Sequence, residues 1–145
     1  MATVYRKRVP AACEAACALR KEILDALEQR GWVQDEEDRF AFWMTLEEAL
    51  ANAVKHGCHG DASRSVEVEL EEMDDRVRII VRDFGPGFDP DKVTMPDCRR
   101  VDGRGVCLIR HYMDRLVYDR EQGGLVMERL SRQPRETSRD RGNTP

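Results

Sequence analysis

No stretch of the 145 residues approaches the ~20 consecutive apolar residues that a membrane-spanning helix requires. The opening segment, MATVYRKRVP, also lacks the apolar run of a signal peptide. Neither sign of charge is in large excess. Lys and Arg number 24 against 28 Asp and Glu, a formal net charge of −4, so there is no bulk electrostatic case for a nucleic-acid or membrane partner. A cytoplasmic protein is the resulting expectation. Cysteines are few and follow no pattern. Cys13, Cys17, Cys58, Cys98 and Cys107 are odd in number and include no CxxC pair, so reduced thiols are expected rather than a disulfide framework. His56, Cys58 and His59 cluster but lack the paired-ligand spacing of a zinc site. No internal repeat is found. Residues 132–145, RQPRETSRDRGNTP, contain no apolar side chain and read as a disordered polar tail, which leaves 1–131 as one domain.

What is present is a change of period along the chain. Residues 3–9 read as a strand. Ala16, Leu19, Ile23, Leu24 and Leu27 then recur at helical steps, with Pro10 suited to the entrance and Gly31 to the exit. A second helix is predicted from about Asp35 to His56, with Phe40, Trp43, Met44, Leu46, Leu50, Ala53 and Val54 as its apolar face. Val66, Val68 and Leu70 alternate with Glu67, Glu69 and Glu71, and Val77, Ile79 and Val81 alternate likewise across an Asp74-Asp75 turn, which predicts an antiparallel hairpin. A loop rich in Gly, Pro and Asp covers roughly 84–103. A third helix is predicted over about 105–115, and two short strands follow near 116–120 and 124–131. The layout is an α/β (α+β) two-layer sandwich: a mixed, mostly antiparallel sheet with helices on one face.

Three motifs carry chemistry. On the second helix, EEALANAVKHG puts Glu48 and Asn52 one turn apart on a shared face, with His56 a further step along. A carboxylate there can accept a proton from an attacking hydroxyl, and an amide oxygen is a hard, neutral ligand for magnesium. Exposed pairs of this kind are also common on helix surfaces. The second motif is RDFGPGFDP. Asp83 ends a strand and can accept a hydrogen bond from an exocyclic amine such as that of adenine, while Gly85 and Gly87 let backbone approach a flat ligand. A plain strand-to-loop turn uses the same residue types. Asp83-Phe84-Gly85 also spells the metal triplet of protein kinases, but no glycine loop, strand lysine or HRD-type loop precedes it, and Phe84 reads as packing. The third motif, DGRGVCLI, opens a helix at Gly103 and Gly105, where free N–H groups and the helix dipole suit phosphate. A dinucleotide fingerprint is a poor match, because Leu108 stands where the third glycine belongs.

In this order the motifs resemble the GHKL (histidine-kinase-like ATPase, Bergerat-type) fold. EALANAVKHG, VRDFGPGFDP and GRGVCLIRHYMDRLVYD are similar to the anti-sigma-factor serine/threonine kinases, bacterial partner-switching regulators, over about residues 3–131. The resemblance implies ATP and Mg²⁺ as cofactors. It implies Glu48 as general base towards an acceptor serine, Asn52 as magnesium ligand, and Lys55 or His56 near phosphate charge. Asp83 would read the adenine amine, with Gly85 and Gly87 shaping its pocket. Residues 88–102 would form a lid, and Gly103, Arg104, Gly105 and Val106 would meet phosphate, with Arg99 and Arg100 as rivals of Arg104. The implied partners are a small STAS-type antagonist protein and a sigma factor; homodimers are common in the family. The alternative is a non-catalytic, nucleotide-dependent partner-binding module in another signalling pathway. Many relatives carry Thr or Ser in the last strand near adenine, where Met127 stands here. A self-contained histidine kinase is not expected, since His56, His59 and His111 all fall inside the nucleotide-binding unit.

Overall fold

The alternation of Val66, Val68 and Leu70 with Glu67, Glu69 and Glu71 appears in the computed structural model of the chain as a strand with two differently occupied faces. The structure describes residues 2–85, 90 and 104–132. Gly87, Gly103, Arg99, Arg100, all of the expected lid but Pro90, and the expected tail beyond residue 132 lie outside the described residues. In chain order the elements are β1 (Ala2–Pro10), α1 (Cys13–Gln29), α2 (Glu36–Asn52), a π-helical turn (Ala53–Gly57), β2 (Ser65–Glu72), β3 (Arg76–Arg82), α3 (Arg104–Tyr112), β4 (Arg115–Asp119) and β5 (Gly124–Leu130). The strands form one sheet in the order β1-β2-β3-β5-β4. Every pairing among the described strands is antiparallel, so the expected mixture reduces to an antiparallel sheet.

One face of the sheet meets the helices. Val66, Val68 and Leu70 of β2, Val77, Ile79 and Val81 of β3, and Leu125 and Met127 of β5 join Leu19, Ile23 and Leu27 of α1 and Phe42, Leu46 and Leu50 of α2 in one core. Burying each large side chain contributes about 1.5–3 kcal/mol. Asp35 caps α2 by accepting from the Asp38 N–H at 2.8 Å, and Glu36, Glu37 and Asp38 complement the helix dipole.

Three expectations need correction. Pro10 does not enter a helix: it is the last paired residue of the edge strand β1, a position where its missing N–H is tolerated, and α1 begins at Cys13. The buried stripe of α2 runs through Ala41, Phe42, Thr45, Leu46, Ala49 and Leu50, not through Phe40 and Trp43, which are 51% and 37% exposed. Those two rings find surface partners instead: Tyr112 edge-on to Phe40 at 5.6 Å, and the Arg20 guanidinium 3.7 Å from the Trp43 ring centre. Cys13, Cys17 and Cys58 are free thiols as expected, but Cys107 is disulfide-bonded; pairing depends on approach in space, which linear spacing does not reveal.

The opposite face carries the alternate residues and is charged yet largely buried. Arg82 donates to Glu67 at 3.1 Å and to Glu69 at 2.8 Å, while Arg78 and Arg76 donate to Glu128 at 2.8 and 3.2 Å. Glu128 is only 1% exposed. The register explains this, since Glu67 pairs with Arg82, Glu71 with Arg78, and Arg78 with Glu128 across the strands. Burial pushes the Glu69 carboxyl up, but hydrogen bonds from Thr3 and Arg82 outweigh it and hold the group below the usual range. Arg82 also donates to the Gln122 carbonyl at 2.9 Å, which ties the end of β3 to the β4–β5 turn.

Candidate nucleotide-binding site

The end of α2 is where the sequence motifs begin to converge. The helix passes into a π turn, with the Cys58 N–H donating to the Ala53 carbonyl at 2.9 Å and the Gly60 N–H to the Val54 carbonyl at 2.8 Å. His59 (φ 53°) and Gly60 (φ 68°) then reverse the chain. Such π turns recur at functional sites, because the extra residue shifts the helix phase. Here Lys55 and His56 are exposed, and Gly57 faces inward. Lys55 lines a groove of about 180 Å³ between α1 and α2, together with Cys13, Cys17 and Arg20, rather than joining the other motif residues.

Gly57 meets Asp83. A Cβ at position 57 would lie 2.0 Å from Asp83 Oδ2 and 2.2 Å from its Cγ, so only glycine admits the carboxylate there. Asp83 follows β3 directly. The Asp83 and Phe84 N–H groups donate to the Gly123 carbonyl at 3.2 and 3.1 Å, and the Gly85 N–H donates back to Asp83 Oδ1 at 2.8 Å. Phe84 sits at φ 59°, a left-handed conformation costly for a side chain of this size. Its packing is external: the ring lies beside Gly123 and 4.9 Å from the Arg8 guanidinium carbon.

The third motif reaches the first across α3. A Cβ on Gly105, in the first turn of α3, would lie 2.6 Å from Glu48 Oε2 and 3.5 Å from Asn52 Nδ2. Glu48 and Asn52 are both half-buried under this turn. First-turn N–H groups have no partner within their own helix, so Gly105 and Val106 stand where an anion finds donors beside a carboxylate and an amide. The Val106 side chain itself belongs to the core. Arg104 begins α3.

Two site residues escaped the sequence reading. Gly57 is one: it directly follows the predicted end of the second helix at His56, where a glycine reads as a helix stop. Tyr118 of β4 is the other. Its hydroxyl donates to the Gly85 carbonyl at 3.2 Å and is also within hydrogen-bonding reach of Asp83. Burial pushes the Tyr118 hydroxyl pKa up, and the Asp83 charge adds to this. Met127 is wholly buried in the core, paired with Ile79 and Leu116, so the hydroxyl beside Asp83 comes from β4 rather than the last strand. Among the described residues no group of three or more His, Cys, Asp or Glu could hold a metal ion, and no helix is long and apolar enough to cross a membrane.

An antiparallel sheet backed by helices, with a strand-end Asp and a glycine-opened helix facing a Glu/Asn pair, defines a two-layer ATPase-type domain. The model of the histidine kinase-like ATPase domain matches residues 9–128, and the chain belongs to that family. It is 29% identical over 91 residues to the serine/threonine-protein kinase BtrW of Bordetella bronchiseptica, covering 59% of this chain and 64% of that protein. It is 30% identical over 76 residues to the anti-sigma F factor of Oceanobacillus iheyensis, covering 48% of this chain and 51% of that protein. The matches thus span less than two thirds of either relative.

Proposed function

We propose that this chain binds Mg-ATP and transfers the γ-phosphoryl group to a serine or threonine hydroxyl of a protein partner. The observation that supports this is the approach of Gly105 to Glu48 and Asn52, which brings the first-turn backbone of α3 next to a carboxylate and an amide. In the transfer, the acceptor hydroxyl loses its proton to the Glu48 carboxylate as its oxygen bonds to phosphorus. The bond from phosphorus to the bridging oxygen breaks, and ADP leaves. Asp83 accepts the adenine amine, and the first turn of α3 donates to phosphate. Positioning and charge stabilisation are most of what phosphoryl transfer asks of a protein.

The donor set suits an ion brought by its nucleotide. Magnesium keeps several waters and takes few protein ligands beside phosphate oxygens, and Asn52 supplies one neutral oxygen of that kind. Bound there, the ion would neutralise phosphate charge.

The names of the two relatives, a serine/threonine-protein kinase and an anti-sigma factor, support a kinase with a regulatory protein partner. The resemblance of the motifs adds the finer reading, in which the acceptor is a STAS-type antagonist and the competing partner a sigma factor. Calorimetry tests the nucleotide reading. Asp83→Asn should weaken ATP binding at least ~10-fold, the scale of a hydrogen bond to a charged group, and Glu48→Gln should leave it near wild type. Unchanged affinity in Asp83→Asn would remove the adenine assignment.

A further inference from the structure

Asp83 can only accept hydrogen bonds, so it recognises an amine but not the ring that bears it. Adenine presents its exocyclic amine next to a ring nitrogen that accepts. Guanine presents the reverse, a carbonyl next to a ring N–H. Telling the two apart needs a donor beside the Asp83 acceptor. Two groups from the strands flanking the turn bear on this. Met127 brings a thioether into the core and offers no donor. Tyr118 brings a hydroxyl to within 3.2 Å of the Gly85 carbonyl, within bonding reach of Asp83.

The half-buried Tyr118 ring packs against the core, which fixes the line along which the hydroxyl approaches. In β4 it pairs with Leu125, which pairs in turn with Val81, two residues before Asp83. The phenol therefore reaches across the sheet's helix-facing side to the strand end that carries the carboxylate. Its raised pKa keeps the hydroxyl protonated and able to donate. It has one proton to donate, and both the Gly85 carbonyl and Asp83 lie within its reach in this structure.

We propose that Tyr118 is a specificity-determining residue of this site. Its hydroxyl turns from the Gly85 carbonyl to the ring nitrogen beside the amine held by Asp83, so that the pair reads an acceptor and a donor on one amino-heteroaromatic edge. The proposal rests on the reading of Asp83 as the amine acceptor and adds the second half of the recognition.

The test is calorimetric titration of the full chain and of Tyr118→Phe with ATP and with 1-deaza-ATP, in which C–H replaces that ring nitrogen. Wild type should prefer ATP roughly 5- to 10-fold, the scale of one neutral hydrogen bond. Tyr118→Phe should bind the two nucleotides equally, at about the wild-type affinity for 1-deaza-ATP. A residue that merely held the turn together would weaken both nucleotides alike and leave the preference intact; that result overturns the proposal. A wild-type protein that binds both equally overturns it as well, whether or not the variant folds, and leaves the nucleotide reading standing. Failure of wild type to bind either nucleotide removes the nucleotide reading itself, and this proposal with it.

Discussion

Replacing Gly57 with alanine adds one methyl group where the end of the α2 segment meets Asp83. The new carbon would lie 2.0 Å from Oδ2, 2.2 Å from Cγ and 2.5 Å from Cβ of Asp83, against a comfortable carbon–carbon separation of about 3.5–4.0 Å. Rotating the carboxylate relieves the first two overlaps but not the third. The Asp83 Cβ is fixed to a backbone whose N–H donates to the Gly123 carbonyl, so helix end or strand end must shift. Overpacking of this kind costs about 1–3 kcal/mol, which lowers the midpoint of thermal unfolding by roughly 2–10 °C for a chain of this size. On the proposed reading of Asp83, the displaced carboxylate would also lose the bond to the nucleotide amine, worth about 1.5–3 kcal/mol, or roughly 10- to 150-fold in affinity. Calorimetry with ATP, alongside thermal melting, measures both. Gly60→Ala is the control: it has φ 68° and nothing within 4 Å of its added carbon, so it should cost about 1 kcal/mol of backbone strain and no affinity. Wild-type affinity in Gly57→Ala, or an equal loss in Gly60→Ala, would refute the reasoning.

Other consequences follow from the charged sheet face. Arg82→Met leaves Glu69 buried with only the Thr3 hydroxyl and Glu67 with only the more exposed Arg6 and Arg8, so urea denaturation should show a loss of about 3–5 kcal/mol, far more than for the exposed pair of Lys7 and Glu22. Acid should unfold the protein through the same face. For Glu69 and Glu128 burial raises the pKa, but their arginine partners, with Thr3 at Glu69, outweigh it and hold both below 4.5. A lowered folded-state pKa stabilises above the unfolded value and loses that stability as pH falls through the folded one. Stability measured by circular dichroism should therefore hold above about pH 4.5 and fall below it, with Thr3→Val moving the acid midpoint upward.

Much of this was legible in the sequence because periodicity reports burial. The hairpin of β2 and β3, the course of α2 and the shared face of Glu48 and Asn52 follow from residue type and spacing, whereas the approach of Gly105 to that pair was implied only by the resemblance of the three motifs to a known family. What was not legible depended on phase and on distant strands. Phe40 and Trp43 looked buried because aromatic side chains usually are, yet the true stripe of α2 passes through Phe42. His56 looked like a continuation of the Glu48 face, but the π turn changes the helical step just before it. Glu67 and Glu69 looked solvent-facing, because alternation of charged and apolar residues does not show that the charged face is itself buried by its cross-strand partners. Tyr118 was invisible as a site residue for a similar reason, since it reaches Gly85 only through the order β3-β5-β4.

The central claim is that Glu48 accepts the proton of a protein hydroxyl while the γ-phosphoryl group of ATP moves to it. The most direct measurement is transfer of labelled γ-phosphate to a protein that co-purifies with this chain from its native cell, with wild type and Glu48→Gln compared at saturating Mg-ATP. The account predicts label on serine or threonine with wild type, and a rate lower by about 10²- to 10⁴-fold in the variant at undiminished ATP affinity. Label that accumulates at the same rate in Glu48→Gln, or none from a wild-type protein that binds ATP and its partner, would contradict it.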